Sequence, residues 1–163
     1  MTRMCGPCSL CCKVLGIEEL NKPKNVWCVN AKRGHGCVVH ETIIPQSCID
    51  FVCMWLEKEH KDGGLREEFR PDKIHAVLTW LPKGSPGICV RVDPGYPNSH
   101  KIFPLSAFID YVRQKVVLVV VVGEHYYQKI EDKWVELAYT SGIDNIFDNL
   151  ELLHNPGGKY DDA

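Results

Sequence analysis

The sequence predicts an α+β protein: a loop-rich cysteine cluster, then a small, mainly antiparallel sheet with two amphipathic helices. Three observations carry this. Eight of the nine cysteines fall within the first 53 residues. The second half alternates β-branched runs with turn signals. Two stretches, Leu105–Val112 and Ile143–Leu153, repeat apolar residues at the helical period. The organisation read from this is a cysteine module over residues 1–56, a charged linker over 57–73, an α+β sheet region over 74–154 and a disordered tail over 155–163.

Within the module, the segments between cysteines are rich in Gly, Pro, Asn and Lys, as in Asn21-Lys22-Pro23-Lys24-Asn25 and Arg33-Gly34-His35-Gly36. They read as loops and turns. The stretch from Cys48 to Leu56 is too densely apolar for its period to be judged, so helix and strand both stay open. In the sheet region, Ile74–Leu81 and Ile88–Val92 are β-rich runs joined by Pro82-Lys83-Gly84-Ser85-Pro86-Gly87, a hairpin signal. Pro104 stands where it can start a helix, with Leu105, Phe108, Ile109 and Val112 on one face. Val116–Val122 is almost all valine and suits a central strand covered on both sides. Tyr126–Ile130 and Trp134–Tyr139 make a second hairpin across Glu131-Asp132-Lys133.

Composition narrows the function. With 163 residues and 45% hydrophobic content the chain is long enough to bury a core. A net charge of −2 gives no basic field for nucleic acid, and the local Lys22, Lys24, Lys32, Arg33 group reads as a solvated loop. The longest apolar run, Val116–Val122, has seven residues, whereas a membrane helix needs about 20. No signal-peptide-like run precedes Cys5. The expectation is a cytoplasmic protein without a membrane or nucleic-acid partner, whose thiols stay reduced.

Cysteines so dense serve either as disulfides or as soft-metal ligands. A reducing compartment and an odd cysteine count favour metal. A loop-rich segment of this length cannot bury enough apolar surface alone, so a metal staple meets a need. Cys5/Cys8 and Cys8/Cys11 have the Cys-x-x-Cys spacing that lets one tight turn span an edge of a tetrahedron. Cys28, Cys37, Cys48 and Cys53 can complete the shells. Eight thiolates match two four-cysteine sites, or one binuclear cluster with shared sulfurs. Adjacent Cys11 and Cys12 project about 100° apart on a helix, so they suit two metals, or one metal and a packing role, better than one tetrahedron.

The run Cys5-x-x-Cys8-x-x-Cys11-Cys12, followed by four spaced cysteines, resembles the cysteine-cluster family (YkgJ type, CxxCxxCC) described as zinc- or iron-chelating. The likeness covers residues 5–55. Related cysteine patterns occur in a flagellin lysine methylase. The ligands the resemblance implies are Cys5, Cys8, Cys11, Cys12, Cys28, Cys37, Cys48 and Cys53. The chain departs from the family at Ile44-Pro45, where Arg-Pro is common, and around His40, where a Tyr is common.

Other residues weigh less. Cys5-Gly6-Pro7-Cys8 is also the thioredoxin tetrapeptide, but that chemistry needs a strand before it and a helix after it. His35 and His40 flank Cys37 and could supply a nitrogen ligand, but they read first as loop histidines because the thiolates already suffice. Cys89 lies in Ile88-Cys89-Val90 and reads as a packing residue. No Walker loop, dinucleotide fingerprint, nucleophile elbow or zinc-protease motif is present. The expected function is metal binding through up to eight thiolates, zinc first and iron or an iron–sulfur cluster second, with the metal structural and the sheet offering a surface to a protein or small-molecule partner. An iron–sulfur or dithiol redox protein is the alternative, and an enzyme acting near the cluster is a third.

Overall fold

A computed structural model describes residues 3, 5–39, 44–81 and 87–137. The expected closing helix Ile143–Leu153, the tail 155–163, the turn at 82–86 and His40 lie outside the described residues. The chain is α+β. Its cysteine-rich part is built from very short elements: helix α1 (Cys11–Val14), the strand pair β1 (Ala31–Lys32) and β2 (Gly36–Cys37), then helices α2 (Gln46–Asp50) and α3 (Met54–Glu57). The ambiguous apolar stretch from Cys48 to Leu56 is therefore helical at both ends with an extended break at Phe51.

After the one-turn helix α4 (Pro71–Ile74) come strands β3 (Ala76–Trp80) and β4 (Gly87–Val92), helix α5 (Leu105–Val112), and strands β5 (Val117–Val122), β6 (His125–Ile130) and β7 (Lys133–Leu137). They form one five-stranded sheet in the order β3-β4-β5-β6-β7. The two expected hairpins are both present, as β3–β4 and β6–β7. β4 and β5 pair in parallel, Gly87 opposite Val117 through Val92 opposite Val122. A parallel pair needs a crossover, and the connection after β4 supplies it by carrying α5.

Successive strand side chains point to opposite faces. On one face Ala76, Leu78, Ile88, Val90, Val92, Leu118 and Val120 meet Leu105, Ile109 and Val112 of α5 in the main core. The four inner residues of β5 are buried, as a central strand covered on both sides requires. On the other face Cys89, Val119 and Val121 form a second cluster with Leu81. Val77, with no measurable exposure, joins a third cluster with Leu10, Val14, Cys53 and Trp55. The cysteine-rich part thus rests on the sheet face opposite α5. Lys13 Nζ reinforces this, donating to Asp93 Oδ1 at 2.5 Å. Leu65 and Phe69, from the charged stretch after α3, pack against both the first and third clusters.

Candidate metal centre

The first turn of the site is Cys5 to Cys8. Gly6 takes φ 48°, and the Cys8 N–H donates to the Cys5 carbonyl at 3.0 Å. No strand precedes this turn among the described residues. Residues 9–14 wind into α1, placing Cys11 and Cys12 side by side. The Cys28 N–H donates to the Cys12 carbonyl at 3.0 Å, which brings the next loop alongside α1. The Ala31 N–H donates to the Cys28 carbonyl, and Ala31 pairs with Cys37 across the β1–β2 hairpin. Cys48 sits exposed on α2, whose start is tied down by Ser47 donating from N and Oγ to the Glu19 carboxylate at 3.0 and 2.9 Å. Cys53 is buried just before α3.

The loop 33–36 meets the first turn closely. Gly36 has φ +93°, and a Cβ there would lie 2.7 Å from the Gly6 carbonyl oxygen. Gly36→Ala is expected to cost about 1–3 kcal/mol from the backbone conformation, plus the clash. Gly34→Ala, also at positive φ but with open space around it, should cost less. Denaturant unfolding of the two variants checks the order.

Cys5, Cys8, Cys11 and Cys53 line one small cavity, and its other walls are Phe51, Trp55, Leu56 and Pro71. The sulfurs are met by donors suited to thiolates. Backbone N–H groups of Leu10 and Asp72 hydrogen-bond Cys8, and those of Trp55 and Leu56 hydrogen-bond Cys53. Without a cation in place, burial still wins: it pushes the Cys5 thiol up to about 11, helped by Cys53 and Cys8, and it raises Cys8 and Cys53 as well. Trp55 adds an unmet need. It is only 6% exposed, and among the described residues its indole N–H has no acceptor.

Of the other four cysteines, Cys28 is buried, Cys12 and Cys37 are partly buried and Cys48 is exposed. Cys12, Cys28 and Cys37 are the electrostatic neighbours of Cys48. Cys11 and Cys12 share a hydrogen bond that raises the Cys11 thiol and lowers Cys12 to about 7, with Lys22 also lowering Cys12. Lys22 departs from its expected place in a solvated loop. It is 8% exposed, and its ammonium donates to the carbonyls of Lys13, Leu15 and Pro23. Burying a lysine this far requires such partners. Its electrostatic neighbours are Cys28, Cys12, Cys11 and Cys48. Arg3 is held in a similar way, donating to the carbonyls of Trp55 and Lys58 from Nη1 and of Leu65 from Nη2, with its guanidinium 4.7 Å from the Trp55 ring centroid. It lies near enough to Cys53 to favour that thiolate. Sequence reading had no signal for Arg3, and it placed Lys22 in solvent because Lys-Pro-Lys is normally a loop.

As placed, no three His, Cys, Asp or Glu side chains among the described residues are gathered closely enough to hold an ion. Neutral thiols have no force drawing four sulfurs to one point; a bound cation supplies one. The residue types suit a soft metal, with four cysteines lining one apolar cavity and N–H donors on two of them, but their placement gathers no ion-holding group among the described residues. His35 is exposed, with its ring nitrogen 3.1 Å from the Arg33 carbonyl. Cys89 is 5% exposed inside the sheet, with Thr79, Arg91 and Lys24 as its neighbours. Cys89→Ser is expected to keep the full metal content, whereas Cys8→Ser and Cys48→Ser each lower it; elemental analysis of the three variants reads this directly.

No helix among the described residues is long and apolar enough to cross a membrane. No family model, curated protein or solved structure matches the chain. The likeness to the cysteine-cluster family therefore stands on the cysteine spacing alone.

Proposed function

We propose that the N-terminal cysteines bind metal, zinc in the first place and iron in the second, and that the metal serves as a structural staple. The observation that carries this is that Cys5, Cys8, Cys11 and Cys53, from positions up to 48 residues apart, all line one cavity with apolar walls. Four neutral thiols alone give such a loop-rich segment little reason to close. Zinc bound by four sulfurs supplies a cross-link and offers no open coordination position. The spacing shared with zinc- or iron-chelating cysteine-cluster proteins supports the same reading. So does the cytoplasmic location expected from the sequence, where thiols remain available as ligands.

Elemental analysis of protein purified anaerobically without added metal tests this. One or two equivalents per chain are expected. A folded sample with less than about half an equivalent, which does not take up zinc on titration, would sink the reading. Absorption separates the metals, because a zinc protein is colourless and an iron–sulfur cluster absorbs visible light and bleaches in air.

A dithiol redox role has one observation in its favour. The Cys12 thiol is held down to about 7 by the hydrogen bond from Cys11, and a thiolate at neutral pH is a nucleophile. It predicts rapid Cys12 alkylation in the metal-free chain and no change once zinc is bound, whereas the metal reading predicts protection by zinc.

A further inference from the structure

We propose that the stretch from Ile143 to Leu153 docks on the sheet face opposite α5, over Cys89, Val119 and Val121, and supplies the layer that closes the second apolar cluster. This holds whether or not the cysteines bind metal.

The sheet carries three apolar clusters. The first has α5 laid on it, and the third has Leu10, Val14, Cys53 and Trp55 of the cysteine-rich part. The second differs. Its described members, Leu81, Cys89, Val119 and Val121 with Val117, Tyr126 and Leu137 packed against them, all belong to the five strands except Leu81, which directly follows β3. Yet Val119 is 2% exposed and Cys89 5%, and Gln128, on the same face of β6, is 2% exposed. Neighbouring strands flank such side chains but do not lie over them, so burial this deep requires a second layer. The cysteine-rich part closes one end of the strip: Asn25 Nδ2 donates to the Gly123 carbonyl at 3.5 Å, and Lys24 and Asn25 line a small cavity with Arg91 and Val121.

The chain itself offers the occupant. β7 ends at Leu137, which packs on this cluster, and 163 − 137 = 26 residues follow. The other stretches outside the described residues, such as 40–43 and 82–86, are too short to form a layer. Within the 26, Ile143, Ile146, Phe147, Leu150 and Leu153 share one face at the helical period. An 11-residue helix is about 16 Å long, close to three strand spacings of about 4.8 Å, so it crosses the sheet from β7 toward β4. The five connecting residues 138–142 reach up to about 17 Å, enough to climb the roughly 10 Å between layers and turn back over the sheet. Charge agrees. Residues 143–153 contain Asp144, Asp148 and Glu151 and no Lys or Arg, and the cations at the end of the strip are Lys24 and Arg91. A docked segment places its acidic residues within reach of them and shields the Cys89 thiol from solution.

NMR spectroscopy of the full-length chain with methyl-labelled Val, Leu and Ile tests this. Nuclear Overhauser contacts are expected from the Val119 and Val121 methyls to the Phe147 ring and to the methyls of Ile146 or Leu150. Mixing labelled with unlabelled chains separates contacts within one chain from contacts between two copies. A second readout is alkylation of Cys89 by iodoacetamide, mapped by peptide mass spectrometry. The double variant Ile146→Asp, Phe147→Asp should speed it at least about tenfold while the Val90 amide, on the α5 side, keeps its protection. Asn145→Ala, on the opposite side of the same helical period, should leave the rate unchanged. Contacts absent from the wild type, contacts seen only between copies, or an unchanged Cys89 rate in the double variant would each overturn the docking. If the double variant also loses protection at Val90, the wild-type contacts decide alone.

Discussion

Cys53→Ser is expected to lose one metal equivalent and most of the stability of the cysteine module. In the proposed site Cys53 would tie the first turn to the sheet: it lines the cavity with Cys5, Cys8 and Cys11, and its side chain packs with Leu10, Val14, Trp55 and Val77. Structural zinc in small peptides contributes roughly 10–16 kcal/mol of apparent free energy near neutral pH, and removing one of four sulfurs forfeits a large share of that. Serine also places a hydroxyl in an apolar cluster, which costs about 1–3 kcal/mol by itself. The two contributions separate experimentally. Metal-free wild type and metal-free Cys53→Ser should differ only by the packing cost, whereas the zinc-loaded proteins should differ by several times more. Equal differences in both states would mean that Cys53 packs and does not ligate.

Removing metal from the wild type is the second large effect. Chelator should strip amide-exchange protection from the loops around Cys12, Cys28 and Cys37, whose hydrogen bonds lie in turns and a two-residue strand pair. Val90 and Val120, with no measurable exposure in the main core, should stay protected. Val77 is the informative position. It belongs to β3, yet its outward neighbours are Leu10, Val14, Cys53 and Trp55, so its protection should drop part of the way. Simultaneous loss at Val77, Val90 and Val120 would show one cooperative unit with the metal at its centre. The pH dependence should also reverse between the two forms. In the metal-free chain burial raises the Cys5 thiol from 9.0 to about 11. That favours the protonated fold, so this contribution is whole below pH 9 and is lost as the pH rises toward 11. In the loaded chain protons compete with metal, so stability is lost as the pH falls. Denaturant midpoints of both forms across pH 5–11 check the two slopes.

The sheet was largely legible because its signals are local. The valine run at 117–122 is the central strand, and the Leu105, Ile109, Val112 spacing is the buried face of α5. Strand direction was not legible. Periodicity says which face a residue takes but not whether neighbours run parallel, and only the α5 crossover shows that β4 and β5 do. The cysteine cluster was legible as a group from its spacing, and four of its members line one cavity. Their surroundings were not, because these are made by contacts between distant positions. Lys13 reaches Asp93, Arg3 reaches Leu65, and the Asp72 N–H reaches Cys8. The clearest miss is Lys22, where composition points to solvent and three backbone carbonyls hold it inside. Hydrogen bonds from a buried ammonium to main-chain oxygens leave no pattern in the residue types.

The central claim is that sulfur, and nothing else, holds the metal. X-ray absorption at the zinc edge of anaerobically loaded protein tests it most directly. The account predicts a single shell of four sulfurs at about 2.3 Å and no nearer scatterer. A shell of nitrogen or oxygen at about 2.0–2.2 Å, even one atom per zinc on average, would contradict it by bringing in a histidine, a carboxylate or water as a ligand.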